Sequence, residues 1–327
     1  MNKEHNLDLV HKMYAALNSQ DLDKHDEYWA EDMIWHGPPG FGDIFGREAF
    51  KYDVLEPFYK TFPDYNVENE IEVADENWVA ATGILTGTHQ GEWLGVPATG
   101  KPVTMRFSDF WMVRDGKLVE NWVMVDNLAV LHQIGACSLD WIFVDEIKRS
   151  EENKKTFKSV INKNGSAAKN LDLVKKMCDA LVAPEHDLEA QKEFWKEDMI
   201  WHGPPGFGEI HSIEGFLREE LSVFYEAFPD FNGDFEIFFA NENWVAATGF
   251  VTGTHEGDWL GIPATGKPMK MRYSDIWLIR DGRLSENWVM LDHMSVLDLS
   301  LIHISAPKRR YALSYAVYCM KKKWGGG

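Results

Sequence analysis

Cysteine is scarce in this chain of 327 residues: Cys137, Cys178 and Cys319 are the whole set. Three scattered thiols exclude a disulfide framework and a cysteine-based zinc cluster. Long apolar runs are missing too. No stretch reaches the roughly 18–20 consecutive apolar residues that span a bilayer, so no membrane partner is expected. The opening MNKEHNLDLVHKM carries charges and no apolar signal core, which makes a cytoplasmic location the expectation. Positive charge is the third shortage, with 33 Lys and Arg against 52 Asp and Glu and a formal charge of −19. A field of that sign repels phosphate backbones, so nucleic acid is not an expected partner.

Several chemical signatures are also lacking. No His-x-His or His-Glu-x-x-His spacing occurs, and no metal is expected. The glycines of GPPGFG cannot cradle phosphate, because adjacent prolines remove backbone donors. No Ser or Cys sits in a nucleophile elbow, and the dinucleotide fingerprint is absent, so no cofactor is expected. What the chain does have in excess is tryptophan, 14 in all.

It also has itself twice. Asp32–Asp126 aligns with Asp198–Asp292 at a constant offset of 166, without a gap, and 61 of the 95 positions are identical. Upstream, NLDLVHKM at Asn6 matches NLDLVKKM at Asn170 with an offset of 164. So long a period is a duplicated domain, not a solenoid unit. The expected organisation is a domain over 1–135, a linker or appendage over 136–168, a second domain over 169–300 and a basic tail over 301–327. The tail carries Lys308, Arg309, Arg310 and Lys321–Lys323 and reads as a disordered extension.

Within each copy the apolar period switches from helical to strand-like. In copy one Leu7–Leu17 reads as a helix, Asp23–Trp29 as a second short one, and Met33–Trp35 as a short strand. Arg47–Phe62 is helical again and ends at Pro63-Asp64. Four strand-like runs follow: Tyr65–Val73, Trp78–Thr88, Pro102–Arg114 and Lys117–Asp126, with a hairpin at Asp115-Gly116. Asn127–Gln133 reads as a closing helix. Helices first and then a meander is an α+β pattern, with a curved antiparallel sheet wrapped over N-terminal helices to enclose a pocket.

Strand alternation singles out carboxylates. One face of Val103–Val113 carries Val103, Met105, Phe107, Asp109, Trp111 and Val113, so Asp109 is the lone charge on an apolar side. On the next strand Leu118, Glu120, Trp122, Met124 and Asp126 share a face. Copy two repeats both patterns, with Asp275 beside Trp277 and Asp292 beyond Trp288. A carboxylate among tryptophans loses hydration, and its pKa rises toward values useful for proton transfer. For Asp109, capping a turn or pairing with a neighbouring arginine is the competing role. His36 and His202 in WHGPPGFG, and His89 and His255 in GTHxG, stand at strand ends beside glycine-rich turns, where functional groups are commonly mounted. A structural bond to loop backbone is the alternative for His89. Trp35, Trp111 and Trp122, with Trp201, Trp277 and Trp288, are the expected walls.

GTHQGEWLGVPATGKPV at Gly87–Val103, followed by RDGKLVENWVMVDNLAVLHQIG at Arg114–Gly135, resembles the SnoaL-like polyketide cyclase family. GTHEGDWLGIPATGKPM and RDGRLSENWVMLDHM carry the same likeness in copy two. The resemblance implies the cone-shaped fold of nuclear transport factor 2-like and ketosteroid-isomerase-like (cystatin-like) proteins. It also implies an acid/base aspartate at Asp126 and Asp292, acting without a cofactor to drive an intramolecular aldol closure. Tandem copies of such a domain are expected to pack as an intramolecular pseudo-dimer.

The leading expectation is an enzyme acting on an apolar small molecule that contains a carbonyl. Asp126 and Asp292 would take a proton α to that carbonyl, while Asp109, Asp275 or a nearby histidine donates to the forming enolate. A non-catalytic hydrophobic binding module is the second reading. An epoxide-hydrolase-like enzyme is the third, although Arg106 and Asp109 fall on opposite strand faces.

Overall fold

The computed structural model describes residues 2–38, 41–136, 165–204 and 207–295, which form two units. The expected tail, and residues 137–164 of the expected linker, lie outside the described residues.

In the first unit, α1 (Lys3–Asn18) begins where the Asn2 side chain accepts a hydrogen bond from the His5 N–H at 3.0 Å. Its buried stripe is Leu9, Val10, Met13, Tyr14 and Ala16, together with Asn6, whose side-chain amide donates to the Asp75 carbonyl at 3.0 Å. The Asp23–Trp29 segment is not a full helix. It is a 3-10 turn over Asp23–Glu27, and Trp29 already starts strand β1 (Trp29–His36), longer than the Met33–Trp35 expected. After β2 (Asp43–Phe45), a continuous helical stretch runs through α2 (Arg47–Ala49), a π-helical turn (Phe50–Leu55) and α3 (Glu56–Thr61).

The meander follows as read from alternation: β3 (Asn66–Ala74), β4 (Trp78–Thr88), β5 (Pro102–Arg114) and β6 (Lys117–Val125), then α4 (Asn127–Gln133). Asp115 and Gly116 both have positive φ, 50° and 75°, the geometry of a two-residue turn matched to strand twist. Strand order is β2-β1-β6-β5-β4-β3, so the sheet is open. It is not antiparallel throughout. β1 runs parallel to β6, with Trp35 opposite Asn121. Only a connection through the helices and the whole meander can bring β1 and β6 together, and no local pattern announces it.

The second unit repeats this plan. Ser166 caps α5 (Ala167–Leu181), and β7 (Trp195–His202) and β8 (Glu209–His211) lead into α6 (Ile213–Phe216), a π-helical turn (Leu217–Leu221) and α7 (Ser222–Ala227). The long strands are β11 (Trp244–Thr254), β12 (Pro268–Arg280) and β13 (Arg283–Leu291), with the shorter β9 (Asn232–Gly233) and β10 (Ile237–Ala240) at one side. Helix residues Val174, Met177, Phe216 and Leu221 pack with Met271, Trp277 and Val289 of the sheet in one core. Helices over one sheet face leave room between the layers, and that is where the candidate site lies.

Candidate active site

A cavity of ≈ 180 Å³ opens between helix and sheet in the second unit. From β12 it receives Tyr273, Asp275 and Trp277, successive residues of one strand face, as the alternation predicted. β13 presents Asn287, Val289 and Leu291. The helices supply Met177, Cys178, Glu220 and Leu221, and Trp195 and Trp201 enter from β7. None of the described lining residues is Lys or Arg.

Asp275 is the polar focus of the sheet wall. Its neighbour across the ladder is Val289, and Asn287 donates from its side-chain amide to Asp275 Oδ1 at 2.9 Å. Burial lifts the carboxyl to about 7 against the pull of that hydrogen bond. Glu220 faces the same cavity from the π-helical turn and is buried, 7% exposed. Burial pushes it to about 8. On the chain this residue does not stand out, because the polarity of LREEL on a helix reads as a solvated face and the π turn shifts the 3.6-residue period at that point. Trp195 was missed as well, since it sits at the very start of its strand.

The first unit carries the same sheet residues with a different helix partner. Asp109 accepts hydrogen bonds from Tyr14 Oη at 3.1 Å and Asn121 Nδ2 at 3.5 Å, and burial lifts it to about 7. Tyr14 also sets its ring edge-on to Trp111, at 5.6 Å. Neither a turn cap nor an arginine partner is the role of Asp109.

Asp292 stands outside this cavity, and Asp126 of the first unit caps a helix. Asp126 Oδ1 accepts from the Ala129 N–H at 3.0 Å and so caps α4, while burial raises its carboxyl to about 6. Asp292 is buried, is raised likewise to about 6, and is not a lining residue of the cavity. Strand geometry gives the reason. The cavity face of β13 is Asn287, Val289 and Leu291, so Glu286, Trp288 and Met290 project to the other side, and Asp292 follows just past the strand's end. The face that was expected to hold the site is the far one.

His202 and His255 also stand off the cavity. His202 lies across the ladder from Trp288, stacks on it at 4.3 Å, and approaches Glu209 at 2.9 Å and Glu286 at 3.2 Å. His36 does the same with Trp122, Asp43 and Glu120, at 4.6, 2.9 and 3.4 Å. Trp288 is therefore a ring partner of histidine and does not line this cavity, and Trp122 stacks on its own histidine in the same way. His89 and His255 pin the GTHxG loops: their Nδ1 atoms meet Thr99 and Thr265 Oγ1 at 3.0 and 3.1 Å. Arg272, the arginine an epoxide-hydrolase-like site would need, reaches away to Glu236 at 2.7 Å. Among the described residues no group of three or more His, Cys, Asp or Glu is arranged to hold a metal ion. No helix among them is long and apolar enough to cross a membrane.

Comparison with known proteins agrees with the sequence resemblance. The aklanonic acid methyl ester cyclase DnrD of Streptomyces peucetius is 30% identical over 135 residues, covering 39% of this chain and 90% of the relative. Its counterpart DauD from Streptomyces sp. (strain C5) is 28% identical, over 39% of this chain and 81% of the relative. Among solved structures, IdmH from Streptomyces antibioticus is 33% identical, with a TM-score of 0.36 over 39% of this chain and 96% of that one. A SnoaL-like polyketide cyclase from Jannaschia sp. CCS1 is 22% identical, with a TM-score of 0.39 over 41% and 94%. The model of the SnoaL-like polyketide cyclase family matches residues 8–134 and again 172–298, and the chain belongs to that family, twice over.

Proposed function

We propose that this tandem SnoaL-like protein catalyses cofactor-independent acid–base chemistry on an apolar, carbonyl-containing small molecule, and that the second unit's cavity is where it does so. The observation that carries the reading is Asp275: a carboxyl among tryptophans, oriented by Asn287 at 2.9 Å, facing an apolar cavity. A base whose pKa is lifted to about 7 is still ionised in useful amount near neutrality and has a larger thermodynamic pull on a carbon-bound proton than a solvated aspartate.

In the reaction class proposed, Asp275 removes a proton α to a carbonyl. The resulting enolate adds to a second carbonyl of the same molecule, forming one carbon–carbon bond, and the new alkoxide takes up a proton. Apolar walls without Lys or Arg favour a neutral ligand over an anionic one. The volume bounds its size: an apolar cavity of about 150 Å³ takes up benzene, so ≈ 180 Å³ suits a one- or two-ring compound or one such portion of a larger molecule. The family relatives named as cyclases of an ester support a carbonyl compound as ligand.

The test uses α-hydrogen exchange of 2-tetralone in D₂O, followed by NMR. The intact protein should accelerate exchange, and Asp275→Asn should lose about a hundredfold while still binding the fluorescent enol mimic 2-naphthol. Exchange at the buffer rate with the unaltered protein, or full exchange with Asp275→Asn, would contradict the reading.

A further inference from the structure

Glu220 is a carboxyl with no visible employment. It is 7% exposed, it lines the cavity, and its side chain has no hydrogen-bond or ion-pair partner among the described residues. Leaving such a group buried and unpartnered costs on the order of a few kcal/mol. The fold does not ask for it. The aligned residue of copy one is Val54, which sits in the same π-helical turn, so an apolar side chain serves the backbone equally well.

We infer that Glu220 is the donor to the ligand's carbonyl oxygen, acting from the helical wall while Asp275 acts from the sheet wall, on a neutral one- or two-ring ketone or its enol. The inference rests on the acid–base reading of this cavity and deepens it. A ligand oxygen is the partner that Glu220 lacks.

The two carboxyls are prepared for opposite roles. Asn287 donates to Asp275 and so stabilises its anion, whereas nothing donates to Glu220. Burial raises both carboxyls, but only Asp275 has a donor that opposes the rise, so Glu220 is the better placed of the two to hold a proton. Carboxyls whose surroundings separate their proton affinities divide into acid and base. The cavity's other titratable groups are committed. Tyr273 donates to the Asp234 carbonyl at 2.8 Å, Asp179 pairs with Lys175 at 2.7 Å, and burial holds the Cys178 thiol neutral.

A second difference between the copies leaves the space open. Cys178 aligns with Tyr14, the residue whose hydroxyl donates to Asp109 in copy one. In copy two the small thiol stands there, and among the described residues only Asn287 donates to the Asp275 carboxyl. In the step itself, the α-proton passes to Asp275 and the C–H pair becomes the enol C=C. The carbonyl π pair moves to oxygen, which takes the Glu220 proton. Reversal returns both protons, and no other reactant is needed.

The experiment is isotope-edited infrared spectroscopy of carbonyl-labelled 2-tetralone bound to the full chain, with α-exchange measured on the same samples. The expected result is a ketone band shifted to lower frequency in the unaltered protein and in Asp275→Asn, and an unshifted band in Glu220→Val. Exchange should fall about a hundredfold in Glu220→Val, with Glu220→Gln intermediate in band position because its amide still donates. A shifted band that persists in Glu220→Val would overturn the inference. Loss of exchange in Asp275→Asn alone would overturn it too, and would leave the acid–base reading standing. Unimpaired exchange in Asp275→Asn with a Glu220-dependent band shift would instead sink that reading and keep Glu220 as the ligand's donor.

Discussion

Tyr14 donates a hydrogen bond of 3.1 Å to Asp109, and the residue aligned with it in the second copy is Cys178. One aspartate is thereby satisfied by the protein on its helix side, and its twin is left to face a cavity. Cys178→Tyr should transplant that plug. Affinity for 2-naphthol in the second unit is expected to fall at least tenfold, about 1.4 kcal/mol or more, in a fluorescence titration. Tyr14→Phe should cost the first unit about 1–2 kcal/mol in denaturant unfolding, the worth of one hydrogen bond to a carboxyl.

Asp126 separates a capping role from a catalytic one. Its Oδ1 holds the Ala129 N–H at 3.0 Å, a bond that asparagine can replace and alanine cannot. Asp126→Ala should cost about 1 kcal/mol of stability, while Asp126→Asn should cost little. Neither is expected to alter 2-tetralone exchange. Collapse of exchange in Asp126→Asn would restore that residue to the chemistry.

Burial of Glu220 makes stability depend on pH in a definite sense. Its folded pKa, about 8, lies above the ordinary value of 4.5, so the folded state keeps a proton that the unfolded chain has released. Stability is therefore full below about pH 4.5 and is lost progressively up to about pH 8. Glu220→Val should remove this loss, so its stability advantage over the unaltered protein should be larger at pH 8–9 than near pH 4 by on the order of a few kcal/mol. Denaturant midpoints at the two pH values measure it.

Asp64 and Asp230 carry the opposite sign. Asp64 accepts from the Thr88 backbone and hydroxyl at 2.7 and 2.6 Å, and Asp230 makes the matching pair with Thr254. Those bonds, the hydroxyl's above all, hold both carboxyls below the usual value of 3.8. Their contribution is present above about pH 4 and disappears as pH falls through the folded pKa. Asp64→Ala and Asp230→Ala should each cost about 1 kcal/mol at neutral pH, and the acid-unfolding limb should become shallower.

Much of this was legible in the chain. Period-two alternation located the long strands, Asp-Gly marked the hairpin, and Asp275 stood out as the lone charge on the apolar face of its strand. Trp201 and Trp277 were legible for the same reason. What escaped was set by tertiary geometry. The parallel join of β1 to β6 leaves no local mark. Nothing in ENWVML says which of its two faces meets the helices, so alternation alone does not tell that Asn287, and not Trp288, lines this cavity. Glu220 was hidden by a π turn that rotates a polar-looking helix face inward.

The most direct test compares twins within one chain. Asp275→Asn and Asp109→Asn replace aligned residues, one on the open cavity and one held by Tyr14. Exchange of the α-hydrogens of 2-tetralone should fall about a hundredfold in Asp275→Asn and persist in Asp109→Asn. Persistence in Asp275→Asn, or equal loss in both, would contradict a site seated in the second unit.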